Sequence, residues 1–241
     1  MNNVLKNLKV FIKDSFPGFS NVLRFILTPY IKYRDRKQYK IRNTDFNNNA
    51  VGVFSQFCDA LNEINLEYWL TFGTLLGAVR EKGFISHDLD IDVGVFSDVD
   101  FEMIDKQLVK KGFKLQREID VYAKNASEIG FEKTYKKDSV SIDFFVFHRD
   151  KEGVVYTHDF LNNICVSNIG IYKTVRRLTL PLKGFIEYEF LNNKVLIPEN
   201  YSEYLAAHYG RDFMIPNPKW TTNTSPIAEI VNDAVGIVKY F

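Results

Sequence analysis

Between Thr71 and Val95 the chain reads TFGTLLGAVREKGFISHDLDIDVGV, and its last third sets the tightest constraint on the fold. From Leu89 to Val95 apolar residues alternate with Asp90 and Asp92, the period-two pattern of a half-buried strand. Both carboxylates therefore share one face, while Leu89, Ile91 and Val93 turn to the core. Same-face residues lie roughly 6.5–7 Å apart along a strand, close enough for two carboxylates to converge on one Mg²⁺ or to share two. Taken alone, such a pair is more often a solvated sheet edge. The preceding residues change that balance. Tyr68 to Phe72 suits a short strand entering a tight turn at Gly73, and Leu75 to Arg80 suits a helix capped by Thr74. The first N–H groups of that helix and the positive end of its dipole form a seat for phosphate. A phosphate seat, a cation at Arg80 and paired carboxylates are the parts that phosphoryl transfer uses.

The strongest later strand is Val140 to Phe147, VSIDFFVF, almost continuously apolar apart from Ser141 and Asp143. An acid there either caps a turn or lies on an edge, or it is buried and needs a cation or metal beside it. Other periodicities predict a helix over about 50–65 carrying Val53, Phe54, Phe57, Leu61 and Ile64 on one face. A second helix is expected through Phe101, Ile104 and Leu108, ending near Gly112, with strands over 113–118 and 130–135. A helix from Tyr201 should stop at Gly210, with Asn200 and Glu203 as its capping pair.

The Gly73-Thr74-Leu75-Leu76-Gly77 run with Arg80, then Gly83-Phe84-Ile85, then Asp88, Asp90 and Asp92, resembles the signature of the LicD and fukutin-related proteins. These are a branch of the nucleotidyltransferase-fold superfamily. The chain departs from the pattern at Ser86-His87-Asp88, where the family often has Pro-Trp-Asp, which touches the pocket wall and leaves the acid pair intact. Similarity extends over about residues 50–220, through Ile197-Pro198, Tyr201, Tyr204-Leu205, Tyr209-Gly210 and Asp212. The resemblance implies an α+β fold, a nucleotidyltransferase-like mixed sheet flanked by helices, with a C-terminal helical region. It also implies transfer of a phosphorylated alcohol, such as phosphocholine or ribitol phosphate, from a CDP-linked donor to a hydroxyl of a surface glycan or polysaccharide. Mg²⁺, with Mn²⁺ as substitute, is the implied cofactor. Asp143 matches the third acid that such folds bring from a neighbouring strand, so Asp90, Asp92 and Asp143 form the expected catalytic and metal-binding set. Gly73 and Thr74 would seat the diphosphate and Arg80 would add charge, although a helix-terminal cation is a common surface feature. Asp88 is expected behind the ligands; Lys133, Lys136, Arg176 and Arg177 are either phosphate contacts or surface charges. Tyr209 and Trp220 stack on substrate or, more commonly for such residues, pack in the core. Two other readings stay open: transfer of a nucleoside monophosphate from an NTP, releasing pyrophosphate rather than CMP, and a non-catalytic membrane-associated partner in glycan assembly.

Charge bears on partners. The net charge is +1, which gives no global basic field for nucleic acid. Residues 1–44 nevertheless hold ten Lys and Arg against Asp14 and Asp35. With Leu5, Leu8, Phe11, Phe19, Phe25 and Leu27, this is a basic amphipathic helical segment preceding a catalytic domain over 45–241. It suits either peripheral contact with an anionic membrane or packing as a helical hairpin. No apolar run reaches the length of a spanning helix and Lys6, Lys9 and Lys13 break the early stretch, so a cytoplasmic location is expected, peripheral on the inner face of the membrane. Cys58 and Cys165 lack metal spacing.

Overall fold

The structure is a computed structural model that describes residues 17–126, 128–166 and 169–241. Contacts divide the chain into two units, Met1–Thr44 and Asp45–Phe241. Helix α1 (Pro17–Asn62) contributes to both. The expected basic segment is therefore helical from Pro17 to Thr44, and its first sixteen residues lie outside the described residues. Among the described residues no helix is long and apolar enough to cross a membrane.

In the second unit the end of α1 carries the predicted apolar face. Phe46, Ala50, Val53, Phe54, Phe57, Cys58 and Leu61 are all buried, and the Phe57 ring meets Tyr68, Phe113 and Phe144 edge-on. The helix stops at Asn62, before the expected residue 65. Next come β1 (Trp69–Leu70), α2 (Phe72–Arg80), β2 (Asp90–Phe96) and α3 (Phe101–Lys110). Asp100 caps α3 by accepting from the N–H groups of Glu102 and Met103, and Gly112 at φ +84° follows its end, as the sequence predicts. Strands β3 (Lys114–Ala123) and β4 (Phe131–Lys137) each begin one residue after the expected start and run past the expected end, and β5 (Val140–Arg149) contains the predicted strand over 140–147. They are followed by β6 (Val155–Val166), β7 (Ile169–Leu180), β8 (Phe185–Phe190), β9 (Asn193–Pro198), α4 (Tyr201–Tyr209), β10 (Ala228–Ile230) and β11 (Ala234–Tyr240).

The sheet departs from the simple flanked layer that the resemblance implies. Strand β6 pairs with both β5 and β7, and β7 pairs with β11, β11 with β3, β3 with β4 and β4 with β5. The six strands β3-β4-β5-β6-β7-β11 thus close into an antiparallel barrel, which removes the edges an open sheet would expose. From β5 the sheet continues as β2-β1-β9-β8, beginning with a parallel β5–β2 pair. The molecule is a mixed α/β fold in which only this extension resembles the expected layer. The predicted capping pair of α4 is also corrected. Asn200 makes no side-chain cap; its amide donates to Pro181 O and Glu203, and its Oδ1 accepts from the Lys183 N–H. The predicted stop at Gly210 stands, with φ +95°.

Candidate functional site

Strand β2 places Asp90 and Asp92 on one face, as the alternation requires, with Ile91 and Val93 fully buried on the other and Leu89 half-buried. Asp143 arrives from β5. In the parallel β2–β5 register Asp92 lies directly opposite Asp143, and Asp90 opposite Ser141. Side chains in register on adjacent strands share a face at a strand spacing of about 4.8 Å, so the structure brings together the three acids singled out in the sequence.

The turn before α2 is tighter than the sequence suggests. The strand ends at Leu70, Thr71 is the N-cap residue and the helix starts at Phe72, so Thr74 lies inside the first turn and does not cap it. The Thr74 hydroxyl instead accepts from the Asp92 N–H at 2.8 Å. Phe72 has φ +40°, rare for an aromatic residue, and its ring is held against Phe145, Phe147 and His208. This turn aims the Gly73 N–H at Asp92 Oδ2, 2.9 Å away. A Cβ at Gly73 would stand 3.0 Å from Asp92 Oδ2 and 3.2 Å from Asp88 Oδ2, so the glycine admits two carboxylates. The N-terminus expected to seat phosphate is thus turned toward the Asp92 carboxylate, where the helix dipole stabilises its charge. Thr71 links the same turn to α4 through a 2.7 Å hydrogen bond between its hydroxyl and that of Tyr204.

Electrostatics mark this cluster as unusual. Burial holds the Asp92 carboxyl well above the usual carboxylate range, and the charges of Asp90, Asp143 and Asp88 push the same way, against the Gly73 N–H. Asp88 is pushed up to about 6 by burial, with Arg80 opposing. Among the described residues no three His, Cys, Asp or Glu side chains form a ready metal cage. Asp92 is turned to Gly73, and Asp143 accepts from Thr134 Oγ1 at 2.6 Å and from Arg117 Nη2 at 3.3 Å. The donor set still fits a hard divalent cation, because it is all carboxylate oxygen and the neighbouring carboxylates oppose the charge of Asp92, which a cation would relieve.

Beside the acids opens a cleft of about 810 Å³, lined by Gly73, Arg80, His87 and Asp88 on one side and by Tyr209, Arg211, Phe213 and Trp220 on the other. Arg80 spans it: Nη1 donates to Phe213 O at 3.1 Å and Nε to Glu81 at 2.8 Å. Tyr209 and Trp220, for which the sequence left substrate stacking and core packing both open, have ring centroids 4.5 Å apart and form an aromatic wall of the cleft, with Tyr209 also packed against the core. Lys133 and Arg176, read as either phosphate contacts or surface charges, are both buried and committed to ion pairs, Lys133 with Asp105 and Glu118, and Arg176 with Asp159. Arg177 stacks on Tyr156 and reaches Glu128 at 3.8 Å, and Lys136 is exposed on β4. Arg117 and Thr134, which hold Asp143, were missed. Their only local signal is strand alternation, and their partner is set by pairing across the sheet.

Comparison with known proteins gives consistent matches. Residues 65–200 match the family described as LicD/FKTN/FKRP, nucleotidyltransferase domain. The chain is similar to ribitol-5-phosphate transferase FKTN of Homo sapiens and of Macaca fascicularis, 26% identical to each over 181 residues, covering 75% of this chain and 36% of the relative. It is also 27% identical over 106 residues to an uncharacterized protein of Rickettsia prowazekii (strain Madrid E), covering 44% of this chain and 35% of that protein. The chain thus spans about a third of the length of the curated relatives it matches. Among solved structures it is similar to the lincosamide antibiotic adenylyltransferase LnuA bound to lincomycin, with a TM-score of 0.34 and 13% identity, covering 60% of this chain and 77% of that one.

Proposed function

Because the chain belongs to the LicD/FKTN/FKRP nucleotidyltransferase-domain family, we propose that it moves a phosphorylated alcohol, of the ribitol phosphate or phosphocholine kind, from a CDP-linked donor to a glycan hydroxyl. The observation that carries this reading is the register of β2 with β5, which sets Asp92 against Asp143 with Asp90 on the same face, beside an open cleft. Asp90, Asp92 and Asp143 would hold the divalent cation, Mg²⁺ or Mn²⁺. Bound there, such an ion supplies neutralisation of the donor diphosphate. The chain's own residues do the rest. Gly73 leaves room for the carboxylates, Thr74 ties the Asp92 backbone to α2, and Arg80 adds fixed charge on the cleft wall. In this reading an acceptor hydroxyl held in the cleft attacks the phosphorus that bears the alcohol, its proton passes to Asp143, and the bond from that phosphorus to the CMP oxygen breaks, releasing CMP.

Incubation with CDP-ribitol, CDP-glycerol or CDP-choline, an oligosaccharide acceptor and Mg²⁺ should release CMP. Cytidine diphosphate with Mg²⁺ should raise the melting temperature selectively, since a ligand that binds only the folded state stabilises it by mass action. Pyrophosphate release from an NTP would move the assignment to nucleotidyl transfer. Stabilisation by no nucleotide, with or without metal, would leave the non-catalytic reading.

Residues 1–44 are proposed to contact an anionic membrane surface, on the strength of their ten Lys and Arg against two Asp. Deleting them should reduce co-sedimentation with phosphatidylserine vesicles while leaving CMP release on a soluble acceptor largely unchanged. Equal sedimentation of the two proteins would reject the membrane contact.

A further inference from the structure

Four side chains stand in one row across four neighbouring strands. Arg117 pairs with Thr134 between β3 and β4, Thr134 with Asp143 between β4 and β5, and Asp143 with Asp92 between β5 and β2. Strands lie about 4.8 Å apart, so each side chain in the row stands beside the next. The contacts are directional. Arg117 Nε donates to Thr134 Oγ1 at 2.7 Å, and Thr134 Oγ1 donates to Asp143 Oδ1 at 2.6 Å. A hydroxyl has one proton, and because the guanidinium occupies an acceptor position on Thr134, that proton is directed at the carboxylate. Arg117 is itself fixed. Its Nη2 donates to Glu132 Oε1 at 2.7 Å and reaches Asp143 Oδ2 at 3.3 Å, and Glu132 is 5% exposed. Both oxygens of Asp143 are therefore addressed from the barrel side, which stops the carboxylate from rotating about its last bond.

We propose that Arg117 and Thr134, with Glu132 as the anchor of Arg117, are positioning residues that lock the Asp143 carboxylate beside Asp92 in the orientation a shared divalent cation requires. This rests on reading Asp92 and Asp143 as ligands. None of the three touches the reacting atoms. A charged pair alone would only neutralise Asp143; the Thr134 relay adds direction, and direction is what a metal site needs from the groups behind its ligands.

The test is Mn²⁺ titration of the full chain, followed by the electron paramagnetic resonance signal of free Mn²⁺, with melting temperatures measured in EDTA. Thr134→Val keeps the shape and removes the hydroxyl, and Arg117→Lys keeps the charge and loses the two-sided fork. Each should weaken Mn²⁺ binding by about 10–100-fold, whereas Thr134→Ser, which restores the hydroxyl, should stay within about threefold of wild type. A merely structural role would lower the metal-free melting temperature of Thr134→Val and leave its Mn²⁺ affinity at the wild-type value. That result, with Asp92→Asn losing Mn²⁺, would overturn the positioning role alone. Absence of Mn²⁺ binding by the wild type would overturn it together with the metal site. Should Thr134→Val fail to fold, unchanged affinity in Arg117→Lys is the overturning result.

Discussion

Asp92→Asn should reduce turnover by more than roughly a hundredfold and, in EDTA at neutral pH, make the protein more stable than wild type. Asparagine keeps an oxygen to accept the Gly73 N–H, so the start of α2 is held, while the charge that burial and the Asp90, Asp143 and Asp88 carboxylates oppose is removed. The sign follows from proton linkage. Asp92 and Asp88 have folded-state pKa values above their unfolded ones, so between the two values the folded state binds more protons and stability falls as pH rises. For Asp88 that window runs from about 4 to about 6. At roughly 1.4 kcal/mol per pKa unit, Asp88→Asn gains on the order of 3 kcal/mol above the window and nothing below it. Thermal melts in EDTA at pH 4 and pH 7.5 read this directly: either variant should exceed wild type at pH 7.5 and match it at pH 4. A variant less stable than wild type at pH 7.5 would show that the cluster carries no electrostatic strain, and the case for a cation among these acids would go with it.

Gly94→Ala should be the most damaging single methyl group in the β2 region. Gly94 lies opposite Trp69 in the β1–β2 pair, and an added Cβ would stand 2.3 Å from Trp69 Cε2 and 2.5 Å from its Nε1. The indole cannot move aside. It is fully buried, with Phe96 and Phe147 at 5.0 Å and Phe185 at 4.7 Å between ring centroids. Overpacking typically costs 1–3 kcal/mol, and a rigid ring fixed on several sides puts this substitution at about 3 kcal/mol or above. At 2–4 °C per kcal/mol for a domain of this size, the melting temperature should fall by roughly 6–12 °C. Gly52→Ala is the control. Nothing lies within 4 Å of its added Cβ, and in the interior of α1 alanine should stabilise by up to about 1 kcal/mol. Equal urea midpoints for the two variants would refute the packing argument. Gly94 lies two residues beyond Asp92 on β2, so the Trp69 contact also fixes the strand that carries the acids.

Much of the site was legible because its cues are local. Alternation over Leu89 to Val95 put Asp90 and Asp92 on one face, and the lone acid in VSIDFFVF pointed to Asp143. Gly112 and Gly210, both at positive φ, marked where α3 and α4 end. These patterns are set within one or two turns or a single strand, where backbone geometry and burial leave few choices. Other features depended on partners remote in the chain. Thr74 looked like a cap, but its hydroxyl is taken by the N–H of Asp92. Arg117 and Asp143 meet across β4, and Tyr209 and Trp220 turn toward the cleft once α4 and the segment after it have folded back. Barrel closure was least visible, because it depends on β6 pairing with both β5 and β7, and a strand's own residues are the same whether one edge or both are paired. The sequence by itself determined which residues could form strands and which acids could share a face. Only the tertiary structure decided strand register, barrel closure and the groups that hold Asp143, because these follow from pairing between distant segments, which no local pattern encodes.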